Sequence, residues 1–194
     1  RRSSDLTLDT RAAKNGDDWV INGEKAYVIN GGDAGFYVVL CQTDDSAKAG
    51  KGLSMFLVDA GTDGITVEPV DYKLGLRNTS TAHVKFENVK VPGANLMGKE
   101  GDGYKQAQEF LDVSRIIMAA MATGTAQGAL DRTLEYAKER EQFGRKIAQF
   151  EISQHIIADV ATAVEQARML TYLAAWSYDN GKGKADSKLA SMAK

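Results

Sequence analysis

The sequence predicts an α+β chain of two domains: an antiparallel β-barrel over residues 1–92, followed by part of an antiparallel α-helical bundle over residues 93–194. Three observations predict it. Residues 1–92 hold short apolar and β-branched runs separated by Gly-, Asn- and Asp-containing turns, the spacing of a small barrel or sandwich. Val91-Pro92-Gly93 then ends the strand pattern, and no proline follows it. Beyond Gly103 the chain is rich in Ala, Met and Leu, with apolar residues three and four apart, which is the helical period.

Taken in order, residues 18–21 and 24–29 flank Asn22-Gly23 and are expected to form a hairpin, because both turn residues tolerate positive φ. Asn30-Gly31-Gly32 should end the second strand, and residues 36–41 form the third. Residues 44–52 are polar and read as an exposed loop. Residues 53–58 and 65–70 are strands on either side of a turn at 61–64, and the alternating run 82–89 is a half-buried strand. Residues 104–140 read as helix with a break near 112–114. Within it Ala119, Ala122, Ala126 and Ala129 offer a small-residue face on which another helix can pack closely. Lys138 and Arg140 suit the last turn, and Phe143-Gly144 turns the chain. Ile152, Ile156, Val160, Ala163, Ala167, Leu170 and Ala174 then form the apolar stripe of a long amphipathic helix that ends at Asn180-Gly181, with a further helix from about Ala185.

The totals exclude several classes. At 194 residues the chain can bury a core, and a net charge of −2 draws it to neither nucleic acid nor anionic membrane. Its single cysteine, Cys41, lies in an apolar run, cannot form an internal disulfide and reads as a small core residue. No apolar run reaches membrane-spanning length. The chain does not begin with Met and ends in helix-favouring residues, so both ends are expected to be cuts in a longer protein. There is no Ser-His-Asp order, metal cluster, Walker sequence or dinucleotide glycine fingerprint. His83 reads as strand surface and His155 as helix packing. The cluster Lys138, Arg140, Arg145 and Lys146 is too short, and too poor in stacking aromatics, for a nucleic-acid module. Arg140 has two readings: a solvated charge favoured by the helix dipole, or a planar fork that holds an anion such as phosphate.

Five motifs, taken together and in this order, resemble the acyl-CoA dehydrogenase family: Trp19-Val-Ile-Asn-Gly-Glu-Lys25, Gly75-Leu-Arg77, Val84-Lys-Phe-Glu-Asn-Val-Lys-Val-Pro92, Asn95-Leu-Met-Gly-Lys-Glu-Gly-Asp-Gly-Tyr104 and Glu139-Arg-Glu-Gln-Phe-Gly144. The resemblance covers nearly the whole chain. It implies a middle β-barrel domain and the first part of the C-terminal helical domain of a flavoenzyme. Such an enzyme takes the α proton of an acyl-CoA to a carboxylate and the β hydride to FAD, and passes the electrons to an electron-transferring flavoprotein. A homo-oligomer is implied, tetramer or dimer. The compartment would be the cytoplasm if the protein is bacterial, or alternatively the mitochondrial matrix.

Residue by residue, the resemblance places Ser4 near cofactor and substrate, and Tyr27 and Ile29 on the strand beside the flavin. Ile29 stands where the family has a threonine hydroxyl, a role that a backbone N–H could fill. Arg140, Gln142 and Phe143 match residues at the cofactor of a neighbouring subunit, with Arg140 at its pyrophosphate. Asp112 and Arg115 match a substrate-side pair, for which a helix-start cap and a surface ion pair is the alternative. The catalytic glutamate is expected beyond Lys194. A minority of the family carries it at the position of Ser114, which here cannot take an α proton unaided. The chain alone is therefore expected to be inactive. A non-catalytic relative that binds CoA esters or serves as a structural subunit is the other reading.

Overall fold

The computed structural model describes residues 8–47, 51–181 and 183–194. It is a mixed α+β chain of two compact units, residues 1–107 and 108–194. The first is built on one six-stranded sheet, from strands β1 (Arg11–Asn15), β2 (Asp18–Ile29), β3 (Phe36–Gln42), β4 (Leu53–Asp59), β5 (Ile65–Pro69) and β6 (Thr81–Val91). Its order is β4-β3-β1-β2-β6-β5. All pairings are antiparallel except β1 with β3, which meet in parallel at Arg11 and Gln42.

Alternation along the strands sends one set of side chains inward. Trp19, Ile21, Val39, Cys41, Phe56, Val58, Val84, Phe86, Val89 and Val91 form the core, with Trp19 edge-on to Phe56 at 5.1 Å between centroids. Among the described residues the end strands β4 and β5 do not pair, so the sheet is open where a barrel was expected. The edges are protected in other ways. β5 is short and ends in Pro69, which has no N–H to donate. Beside β4 the chain returns through a 3₁₀ turn at Gly93–Asn95, bridges Phe56 with Leu96, and donates the Met97 N–H to the Met55 carbonyl at 2.8 Å.

The expected hairpin at Asn22-Gly23 is absent, and β2 runs straight through it. The turn lies one element earlier, where Asn15 pairs with Asp18 and Gly16 takes φ 66°. Gly23 instead occupies a register irregularity, at φ 133°, with Thr10 so close that a Cβ would lie 2.6 Å from its Cα. Asn22 uses its side-chain carbonyl to accept the Asn88 N–H at 2.8 Å. The loop from β5 to β6 is pinned by Lys73, whose ammonium donates to the carbonyls of Leu76 and Thr79 and to the Thr81 hydroxyl. The loop nevertheless exposes Tyr72, Leu74 and Leu76 almost fully.

Three helices follow: α1 (Gly103–Glu139), α2 (Glu151–Asn180) and α3 (Ser187–Ala193). α1 has no break near residues 112–114. Asp112 does not cap a helix start; its carboxylate pairs with Arg115 one turn on and accepts the Ser187 hydroxyl at the start of α3. Between α1 and α2 the minihairpin β7 (Glu141–Gln142) and β8 (Arg145–Lys146) turns through Phe143 and Gly144, both at positive φ. A two-residue loop of this hand suits the twist of the strands it joins.

In the second unit the buried positions are Ala119, Thr123, Leu130 and Ala137 on α1, Val164, Thr171 and Ala174 on α2, and Ala190 on α3. Thr123 and Thr171 approach to 3.4 Å through their hydroxyls, and Arg168 reaches Gln127. The predicted α2 stripe is correct only at its end. Ala174 is buried, but Ile152, Ile156 and Val160 are exposed. α2 is apolar on more than one side, and the sequence alone does not say which side meets α1. The same holds on α1, where Ala119 is buried and Ala122 and Ala129 are exposed. Asp186 caps α3, accepting the N–H groups of Lys188 and Leu189 at 2.9 and 3.0 Å.

Candidate functional site

In the first unit the candidate residues gather at the end of β2. Regular pairing with β6 puts Lys25 opposite Val84 and resumes with Val28 opposite Ala82. Two residues of β2, Ala26 and Tyr27, therefore face one residue of β6, His83. This bulge lifts Tyr27 out of the sheet at φ 54°, a conformation that strains an aromatic residue, and leaves it 68% exposed. Its ring leans on His83, 5.1 Å between centroids at 54°. His83 Nδ1 is in turn 3.2 Å from Glu24 Oε1. Ile29, 70% exposed, follows two residues later at the last ladder position, opposite Thr81. The structure thus brings Tyr27 and Ile29 to one strand end, both free of the core. His83, read from sequence as strand surface, supports Tyr27. Only the bulge reveals that role, and no local residue pattern announces the bulge.

The same strand end borders a recess of about 170 Å³, lined by Lys25, Val28, Ile29, Phe36, Val38 and neighbouring residues. Burial lowers the affinity of the Lys25 ammonium for its proton. Ser4 lies outside the described residues.

In the second unit Arg140 follows α1 directly. Its N–H donates to the Tyr136 carbonyl, and its own carbonyl accepts the Ile147 N–H at 2.9 Å, so both sides of the corner fix its backbone. Its side chain is exposed, and among the described residues no carboxylate pairs with it. The neighbouring Lys146 is satisfied by Glu141 at 2.7 Å and the Glu139 carbonyl at 3.0 Å. Phe143 is 92% exposed and edge-on to Phe150, over which Arg145 stacks at 4.0 Å. Gln142 is exposed beside them. Asp112 and Arg115 form their ion pair on α1, apart in sequence from this corner, with Asp112 facing a recess that Phe110, Tyr178 and Lys184 also line.

An exposed aromatic ring beside an aliphatic side chain suits a flat ring system, and an exposed guanidinium without a carboxylate suits a phosphate. Family models then decide the relationship: the acyl-CoA dehydrogenase middle domain matches residues 2–89, and the acyl-CoA dehydrogenase C-terminal domain matches residues 101–194. The chain belongs to the acyl-CoA dehydrogenase family. Members of this family are FAD-dependent flavoproteins.

Over 192 residues, 99% of the chain, it is 46% identical to the mitochondrial short/branched chain specific acyl-CoA dehydrogenase of Bos taurus, of which the match covers 44%. The butyryl-CoA dehydrogenase structure from Megasphaera elsdenii superposes with a TM-score of 0.92 at 37% identity, covering 99% of the chain and 50% of that enzyme. A chain from a structural study of the electron transferring flavoprotein of Acidaminococcus fermentans gives 0.92 at 42% identity, with 98% and 50% covered. The chain thus spans about half the length of these acyl-CoA dehydrogenase relatives.

Proposed function

We propose that the protein carrying this chain is an FAD-dependent acyl-CoA dehydrogenase that converts an acyl-CoA thioester to the trans-2-enoyl-CoA and passes its electrons to an electron-transferring flavoprotein. The observation that carries this reading is the pair of family matches, in family order, across both units. On this reading residues 1–92 are the middle domain, which would close as a barrel, and 93–194 are the first part of a C-terminal helical bundle. Bound FAD supplies the hydride acceptor. Tyr27 offers an aromatic face to its ring system, and Ile29 an apolar contact without a hydroxyl. Arg140, with Gln142 and Phe143 beside it, holds the pyrophosphate of a neighbouring subunit's cofactor, which makes the protein a homo-oligomer. The resemblance assigns Ser4, Asp112 and Arg115 to substrate binding. Ser114 is no base, so the α proton goes to a glutamate outside these 194 residues. A bacterial protein of this kind would work in the cytoplasm, and a eukaryotic one in the mitochondrial matrix.

The test is the visible spectrum of the whole purified protein with FAD, recorded anaerobically and without an electron acceptor, before and after an acyl-CoA panel is added. A retained flavin band that bleaches with one acyl-CoA supports the enzyme. Arg140→Gln should weaken FAD retention about tenfold or more, since a charge-assisted, bidentate contact is lost. The replacement of the threonine hydroxyl by Ile29 favours a second reading, a non-catalytic binder of CoA esters. That reading would hold if flavin or CoA ester binds and no acyl-CoA bleaches the band.

A further inference from the structure

The support beneath Tyr27 has a role of its own. Tyr27 is exposed, sits at φ 54° and reaches outward from a bulge, so little of the core fixes its ring. Among the described residues the aromatic ring packed against it is His83, opposite the bulge on β6. His83 is itself held from two directions. Its backbone pairs with Glu68 on β5, and its Nδ1–H donates to the Glu24 carboxylate on β2, since an ionised carboxylate only accepts. Glu24, His83 and Tyr27 thus form a chain of contacts across β2 and β6. It starts at a carboxylate and ends at an exposed ring.

We infer that His83, anchored by Glu24, is a positioning residue that fixes the pose of the Tyr27 ring and through it the seating of the flavin. The inference rests on the reading that Tyr27 contacts FAD. A ring that can rotate freely in solvent loses side-chain entropy when a planar ligand stacks on it, and a ring already leaning on a fixed imidazole loses less. The strained backbone of Tyr27 serves the same end, because it aims the side chain away from the core residues that would otherwise bury it.

The experiment uses the whole protein reconstituted with FAD and compares wild type with His83→Ala, His83→Phe, Glu24→Gln, Tyr27→Ala and the double variant Tyr27→Ala/His83→Ala. The readouts are the FAD dissociation constant and the fluorescence of the bound flavin, which a stacked tyrosine quenches. Thermal melting checks that each variant is folded. His83→Ala should weaken FAD about three- to tenfold, the range of one aromatic contact, and brighten the bound flavin. His83→Phe keeps a ring beneath Tyr27 and should restore most of both. Glu24→Gln should brighten the flavin less than His83→Ala does. The double variant should bind no more weakly than Tyr27→Ala, because His83 acts through Tyr27. A clear effect of Tyr27→Ala with none from His83→Ala would overturn the inference and leave the flavin reading intact. No effect of Tyr27→Ala itself would overturn both.

Discussion

Cys41 is fully buried on β3, and burial pushes its thiol up to about 12 from an ordinary value of 9.0, against the pull of the nearby Lys25 ammonium. The unfolded chain therefore gives up this proton first. The stability that the buried thiol contributes is complete below pH 9.0 and is lost as the pH rises towards 12. Lys25 acts in the opposite sense. Burial lowers its affinity for a proton, so the fold is penalised while Lys25 is charged, and the penalty fades as the pH rises towards 10.5. The expected outcome is that Cys41→Ala shows a shallower decline in urea midpoint above pH 9 than the parent, the remainder coming from groups such as Tyr37, whose hydroxyl is also pushed up by burial. A parallel decline in both proteins would assign the pH dependence elsewhere. At this scale the sequence was read correctly for Cys41, whose apolar neighbours on β3 identify it as a core residue. For Asp112 the structure keeps the ion pair with Arg115 and removes only the helix-start cap, because α1 runs unbroken through it.

Among elements, the two Asn-Gly pairs of β1 and β2 are the instructive comparison. Locally they are the same signal, yet Asn15-Gly16 turns the chain and Asn22-Gly23 continues a strand. What separates them is distant in sequence: Asn88 donates its N–H to the Asn22 side chain, and Thr10 lies against Gly23. Gly16→Ala meets nothing within 4 Å and pays only for φ 66°, about 1 kcal/mol. Gly23→Ala meets the Thr10 backbone at 2.6 Å as well as positive φ, and should cost about 2–4 kcal/mol. Urea unfolding of the two variants decides it, and equal losses would deny Gly23 its tight approach to Thr10. The positions of the helices were legible because their periodicity runs over many turns, but the break expected near 112–114 is absent from α1. Their buried faces were not legible, since α2 is apolar at Ile152, Ile156 and Val160 as well as at Val164 and Ala174.

Over the whole molecule, the core of the first unit and the family motifs were legible, because both depend on patterns within the chain. The openness of the sheet and the Tyr27 pose were not, because they depend on which strands meet. The exposed large side chains of the second unit, among them Ile117, Met121, Ile156, Tyr172, Leu173 and Trp176, exceed what an isolated helical unit ordinarily shows to water. The 194-residue chain by itself should associate. Its sedimentation coefficient should rise with concentration, and Ile156→Lys with Trp176→Lys should reduce that rise; a concentration-independent monomer would count against it. One last consequence follows from the Lys73 ammonium. A protease that cleaves after lysine must draw the side chain into its own specificity pocket, with the backbone extended. The Lys73 side chain is held by Leu76, Thr79 and Thr81, and Arg77 donates to the Lys73 carbonyl at 3.0 Å. The Lys73–Leu74 bond is therefore a poor substrate for such a protease for as long as the loop stays folded, despite its exposure, and cutting there would report local opening.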